Sequence, residues 1–125
     1  MTRVSSRTAE ILQWFGLLCA PIAWGVHIVF GAGATEAHCD PARLGIDLTT
    51  YQTALTVAAL LVALLAEACA VALFVGTRPI HYTDPPPEGR RNLFIFGASL
   101  GNVLFIVGIV VAGIGTLAFE GCRQS

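Results

Sequence analysis

Charge is scarce in this chain of 125 residues, of which only 12% are charged and 55% are hydrophobic. Lysine does not occur, and all seven basic residues are arginines. A water-soluble domain needs a charged surface, so this composition, with a mean hydropathy of +0.73, excludes one and indicates an integral membrane protein. The net charge of −1 implies no nucleic-acid partner.

The residue sets on which catalysis usually depends are also missing. We find no paired carboxylates, no Ser/His/Asp set and no phosphate-binding glycine loop, and the three histidines fall at three different depths. We therefore expect no enzymatic activity, and the sequence assigns no catalytic residue, no cofactor and no metal site.

Three apolar runs define the expected architecture. Residues 11–34 and 92–119 contain no charge, and residues 50–76 contain only Glu67. Each run exceeds the ~20 residues that an α-helix needs to cross ~30 Å of hydrocarbon. The first is longer than the ~7 to 15 residues of a signal-peptide core, so we expect it to be retained. The sequence predicts an all-α, single-domain (1–125), integral membrane three-helix bundle with helices at these positions.

The arginines predict the orientation of the bundle. Five lie before helix 1 or between helices 2 and 3, and two lie on the other side: Arg3, Arg7, Arg78, Arg90 and Arg91 against Arg43 and Arg123. Cytoplasmic loops carry the excess of basic residues. We therefore expect a membrane protein with a cytoplasmic N-terminus and an external C-terminus.

The two loops have different compositions. The outer loop, residues 35–49, is polar and ends at Asp47, which is well placed to cap helix 2. The inner loop, residues 77–91, contains four prolines. We expect it to be non-helical, with a polyproline II strut at Pro85–Pro87.

Small residues recur along one face of each helix at spacings of three, four and seven, which predicts close helix packing in lipid. The stripe in helix 1 is Gly16, Ala20, Ala23, His27, Gly31 and Ala34. In helix 2 it is Ala59, Ala63, Ala66 and Ala70. In helix 3 it is Gly97, Gly101, Gly108, Ala112 and Gly115. Pro21 is expected to bend helix 1, with Trp24 directed to lipid or to a partner subunit.

Two ionisable side chains, His27 and Glu67, fall inside the apolar runs, where such groups are costly. His27 lies level with Thr53 and Thr56, so we expect a neutral imidazole hydrogen-bonded to a threonine or to a backbone carbonyl; a haem or copper ligand and a proton relay remain alternatives. Glu67 and Asn102 lie at the same depth, so we expect a neutral Glu67 that is hydrogen-bonded to Asn102 or to a partner chain; proton exchange by a protonated Glu67 remains the alternative.

Of the four cysteines, Cys19 and Cys69 lie within helices and read as small apolar residues. Cys39 and Cys122 lie just beyond the outer ends of helices 1 and 3, on the oxidising side in this orientation, which favours a disulfide. A metal site of His38, Cys39, Asp40 and Cys122 is the alternative, although adjacent ligands without a CxxC or HxxxH spacing argue against it.

The stretch LLCAPIAWGVHIVFG at residues 17–31, followed by Cys39 and closed by Cys122, is similar to a family of small bacterial membrane proteins with a Pro-x-Ala-Trp-x-x-His first helix, found alongside haem-copper cytochrome oxidase components. The residues that match are Pro21, Ala23, Trp24, His27 and Cys39. This resemblance covers helix 1 and the outer loop. It implies a non-catalytic accessory subunit of a terminal oxidase or related respiratory complex, with other membrane subunits and lipids as partners. The alternative is a homo-oligomeric proton-coupled transporter that uses Glu67.

Overall fold

The computed structural model of the chain describes residues 5–40, 45, 47–119 and 122. It contains three α-helices: α1 (Ser6–Cys39), α2 (Leu48–Gly76) and α3 (Glu88–Ala118). Each helix packs against both of the others, and all three are long and apolar enough to cross a membrane. No β-strand occurs in the described ranges, which confirms an all-helical bundle. Arg3, Arg43 and Arg123, used above to predict orientation, lie outside the described residues.

The helices extend beyond the apolar runs at four of their ends, by two residues at the start of α2 and by four or more at the other three. α1 begins at Ser6 and ends at Cys39, so the residues predicted to open the outer loop are helical, and α3 begins at Glu88 rather than at residue 92. Hydropathy indicates the part of a helix that lies in hydrocarbon. The backbone hydrogen bonds of the helix continue beyond that part until a sequence signal ends the helix. For α1 that signal is Pro41, because a residue before proline disfavours the α conformation; Asp40 is extended, with ψ 136°.

The connection between α2 and α3 differs from the predicted strut. Residues 77–79 and 86–87 form turns, the Pro86–Pro87 peptide bond is cis, and Pro87 has ψ −6°. Polyproline II requires ψ near +145°, so the prediction for Pro85–Pro87 was wrong. Pro87 instead precedes the first turn of α3, where a fixed φ suits the start of a helix.

The connection between α1 and α2 ends at the predicted cap. Asp47 accepts hydrogen bonds from the hydroxyl group of Thr50 at 2.6 Å and from its backbone N–H at 3.5 Å. These bonds favour the ionised carboxylate and lower the pKa of Asp47, the side-chain bond contributing most.

Small residues form the contact between α1 and α2. Gly16, Ala20, Ala23, His27 and Gly31 of α1 are buried, as are Ala59, Ala63, Ala66 and Ala70 of α2. At Gly16 the backbones approach so closely that an added Cβ would lie 3.3 Å from the carbonyl oxygen of Ala66. The stripes predicted for helices 1 and 2 thus lie at this contact, apart from Ala34, which is half-buried.

The face of α3 that enters the bundle is not the predicted glycine stripe. Its buried residues are Gly89, Ile95, Ala98, Asn102, Ile109 and Gly113. Gly97 is exposed, Gly101 and Gly115 are half-buried, and a Cβ on any of these three would meet no atom within 4 Å. The alanine-lined surfaces of α1 and α2 leave space that large side chains must fill, and Ile95 and Ile109 fill it.

The bundle therefore has two ends, which we name by their features. At the disulfide end lie Cys39, the start of α2 and Cys122. At the proline end lie the start of α1, the connection of residues 77–87 and the start of α3.

Candidate functional site

His27 lies inside the bundle, with 2% of its surface exposed, and contacts α2 through Thr56. The two atoms, Nε2 of His27 and Oγ1 of Thr56, are 2.9 Å apart. The single hydroxyl hydrogen of Thr56 is directed at the backbone oxygen of Gln52, 2.8 Å away. With that hydrogen on Gln52, a neutral imidazole donates through Nε2 in the first bond and presents Nδ1 as an acceptor.

Gln52 extends this network towards the disulfide end. Its side-chain amide is 3% exposed and donates to the carbonyl oxygen of Gly31 at 2.8 Å and to Oγ1 of Thr35 at 3.3 Å. The sequence analysis missed this residue. Its spacing of four from Thr56 on the same helix face was the signal that could have found it.

A cavity of about 590 Å³ lies beside this network and is lined by residues of all three helices and by both cysteines of the disulfide. His27, Gln52, Thr35 and Thr116 form part of its wall. Thr35 and Thr116 already donate their hydroxyl hydrogens to backbone carbonyls at 3.0 and 2.8 Å. Nδ1 of His27 and Oε1 of Gln52, both buried, have no partner among the described residues. The polar wall is thus rich in acceptors.

Cys39 and Cys122 form a disulfide that closes the rim of this cavity. The Cα atoms are 5.5 Å apart, an ordinary separation for a disulfide. The bond joins positions 83 residues apart and ties α1 to the residues that follow α3. It also removes both thiols from the alternative metal site, and no group of three potential ligands occurs among the described residues.

Two further polar contacts cross the bundle nearer the proline end, and they differ from the predicted pair. Nδ2 of Asn102, a residue only 1% exposed, donates to the backbone oxygen of Gly16 at 2.8 Å. Glu67 accepts a hydrogen bond from the hydroxyl group of Ser99 at 2.6 Å. Glu67 of α2 contacts α3, whereas Asn102 of α3 contacts α1, so Glu67 and Asn102 do not pair with each other. The sequence analysis did not identify Ser99.

The aromatic residue of the sequence motif also contacts α3. Trp24 is 39% exposed, and its ring lies 5.7 Å from that of Phe105. A Cβ added at Gly108 would lie 3.1 Å from the indole nitrogen, so this glycine makes room for Trp24. Among the glycines of the stripe predicted for helix 3, Gly108 is the one that packs against the indole ring of Trp24.

The remaining histidines do not offer an axial partner to His27. His38 lies in the last turn of α1, not in a loop as predicted, and is exposed, as is His81 in the connection after α2. His38 is eleven residues from His27 on the same helix, or ~16 Å along its axis. The described part of a single chain therefore brings no second histidine to His27.

No protein family, no curated protein and no solved structure gives a significant match to this chain.

Proposed function

We propose that this protein is a non-catalytic accessory subunit of a respiratory membrane complex, a terminal oxidase assembly in the inner membrane of a bacterium. The observation that carries the proposal is that the interior polar side chains form hydrogen bonds between helices. His27, Gln52, Asn102 and Glu67 each bond to a different helix from their own. Bonds of this kind fasten helices in lipid. The resemblance of the first helix to a family found beside oxidase components supplies the identity of the complex.

The outward-facing surface of α3 has features that favour contact with a partner subunit. Gly97 and Gly101 stand four residues apart with open space around them, and the bundle does not use them. Flanking side chains are large and apolar, with Leu100 and Leu104 exposed. In lipid, a pair of glycines at this spacing lets a second backbone approach closely. The proposal places a transmembrane helix of a respiratory subunit against this surface.

The proposal also includes the orientation of the bundle in the membrane. Arg7, Arg78, Arg90 and Arg91 all lie at the proline end. By the positive-inside rule this end faces the cytoplasm. The disulfide end then faces the oxidising compartment, in which a Cys39–Cys122 bond persists.

Purification in a mild detergent tests the proposal. We expect the protein to co-elute with haem-containing subunits, detected by their Soret absorbance. Gly97→Leu/Gly101→Leu should abolish co-elution by blocking close approach. Ala68→Leu/Ala72→Leu is the matched control, because these residues have the same spacing and are exposed on α2; it should co-elute as the wild type does. Elution of the wild type as a colourless particle would contradict the proposal.

A second candidate, a homo-oligomeric proton-coupled transporter, rests on Glu67. Its Oε2 atom is buried and has no hydrogen-bond partner among the described residues. Glu67→Gln distinguishes the two functions. The substitution keeps an oxygen that accepts from Ser99, so an accessory subunit should assemble normally, whereas a transporter should lose proton-coupled flux in proteoliposomes.

A further inference from the structure

A second cavity, of about 440 Å³, lies at the proline end between α1 and α3. Trp14 and Leu17 of α1 and Phe94 of α3 supply its apolar part. Its polar part consists of Glu10 and Gln13 of α1 with Arg90 and Arg91 of α3. Neither the interior polar contacts nor the glycine pair of α3 involves this cavity.

The two arginines are free to bind an anion. Arg90 is exposed and Arg91 half-buried, and no hydrogen bond or ion pair engages either guanidinium group within the described part of the chain. Glu10 lines the same cavity without pairing with them. Arginine presents a planar set of donors that matches the oxygens of a phosphate group.

The position of the cavity identifies the source of the phosphate. All three helices are long and apolar enough to cross a membrane, and the apolar runs of α1 and α3 begin only at residues 11 and 92. In a membrane, the helical turns before these residues would lie at the level of the lipid head groups. Trp14, near the start of the apolar run of α1, is half exposed, as is usual for tryptophan at the interface. The apolar residues Leu17 and Phe94 follow further along each helix, towards the hydrocarbon. A polar rim beside an apolar wall fits a lipid, with its phosphate on the arginines and its chains against the wall.

We propose that this cavity binds the head group of an anionic phospholipid. Charge complementarity selects an anionic over a zwitterionic lipid, because the amine of the latter offsets its phosphate. An arginine that lines the cavity can reach the phosphate directly, and we expect each such contact to strengthen binding of an anionic lipid by about fivefold, or ~1 kcal/mol. Glu10 opposes this attraction from the same cavity.

Native mass spectrometry of the full chain in detergent tests the proposal with phosphatidylglycerol and phosphatidylcholine of identical acyl chains. We expect tighter binding of phosphatidylglycerol, reduced about fivefold by Arg90→Gln and again by Arg91→Gln. Arg78→Gln is the matched control, since it removes an exposed arginine at the same end that does not line the cavity; it should change affinity less than twofold. Glu10→Gln should raise the affinity for phosphatidylglycerol about twofold or more.

Three results would overturn this inference. Equal binding of the two lipids would show that charge does not select the occupant. A loss with Arg78→Gln as large as with Arg90→Gln would show attraction by net charge rather than by a site. Full displacement of phosphatidylglycerol by millimolar inorganic phosphate would identify a small-anion site in place of a lipid site. Helix content from circular dichroism verifies that each variant is folded.

Discussion

Replacing Gly113 by alanine adds a methyl group where α3 passes closest to Thr56 of α2. The added Cβ would lie 2.5 Å from Cγ2 of Thr56 and 3.1 Å from its Oγ1. Carbon atoms pack at about 3.5 to 4.0 Å, so Thr56 has to rotate or α3 has to move. Either change separates the hydroxyl group from Nε2 of His27, now 2.9 Å away.

Three contributions determine the expected change in the free energy of unfolding. Two of them destabilise the variant and one stabilises it. Overpacking costs about 1 to 3 kcal/mol, and loss of an interhelical hydrogen bond in a membrane costs about 0.6 to 1.7 kcal/mol. The better helix propensity of alanine returns about 1 kcal/mol. We expect Gly113→Ala to destabilise the bundle by about 0.6 to 3.7 kcal/mol. The assay is equilibrium unfolding in mixed micelles titrated with SDS, followed by tryptophan fluorescence and circular dichroism.

Two companion variants separate this contact from a general effect on α3. Gly115→Ala adds the same methyl group where no atom lies within 4 Å, so it should leave stability unchanged or slightly higher. Thr56→Ser removes Cγ2, the closest atom, and should recover at least ~1 kcal/mol in the Gly113→Ala background. The reasoning is refuted if Gly113→Ala lies within ~0.5 kcal/mol of the wild type, or if Thr56→Ser recovers nothing.

Three further predictions concern other contacts. Gly89→Ala should prevent the α2–α3 connection from closing, because its Cβ would overlap the carbonyl oxygen of Asp84; protease sensitivity of residues 77–87 would rise by at least tenfold, and unchanged cleavage would contradict this. Asn102→Leu keeps the branched shape of the side chain but is larger and loses the bond to α1, so SDS titration should give a loss of at least about 1 kcal/mol; an equally stable variant would count against the fastening role. The hydrogen bond from Thr50 lowers the pKa of Asp47, so its stabilising effect is present at neutral pH and disappears as pH falls below about 4; this acid-dependent part should be missing from thermal melts of Asp47→Asn.

The sequence predicted the number of helices and the small residues that line the contact between α1 and α2, because both depend on local composition. Regularly spaced alanine and glycine residues let helices pack closely in lipid. Ala59, Ala63 and Ala66 of α2 pack at that contact. The level of a side chain follows from counting residues along a helix. For that reason the sequence alone indicates Thr56 as a neighbour of His27.

Rotation about the helix axis could not be predicted in the same way. α3 carries both a glycine face and a face with Ile95 and Ile109, and each is a reasonable packing surface alone. The choice between them depends on the volume left by two alanine-lined neighbours, which is a property of all three helices together. The same rotation brings Ser99 to Glu67 and Asn102 to Gly16, and so replaces the predicted Glu67–Asn102 pair.

The central claim is that three spanning helices bring the end of α1 and the residues after α3 to one face, where a disulfide joins them. Mass spectrometric peptide mapping, without reduction and with free thiols alkylated during membrane extraction, tests it most directly. The account predicts one cross-linked peptide pair containing Cys39 and Cys122, with Cys19 and Cys69 recovered as alkylated thiols. Recovery of Cys39 and Cys122 as alkylated thiols, or in a bond to any other cysteine, would contradict it.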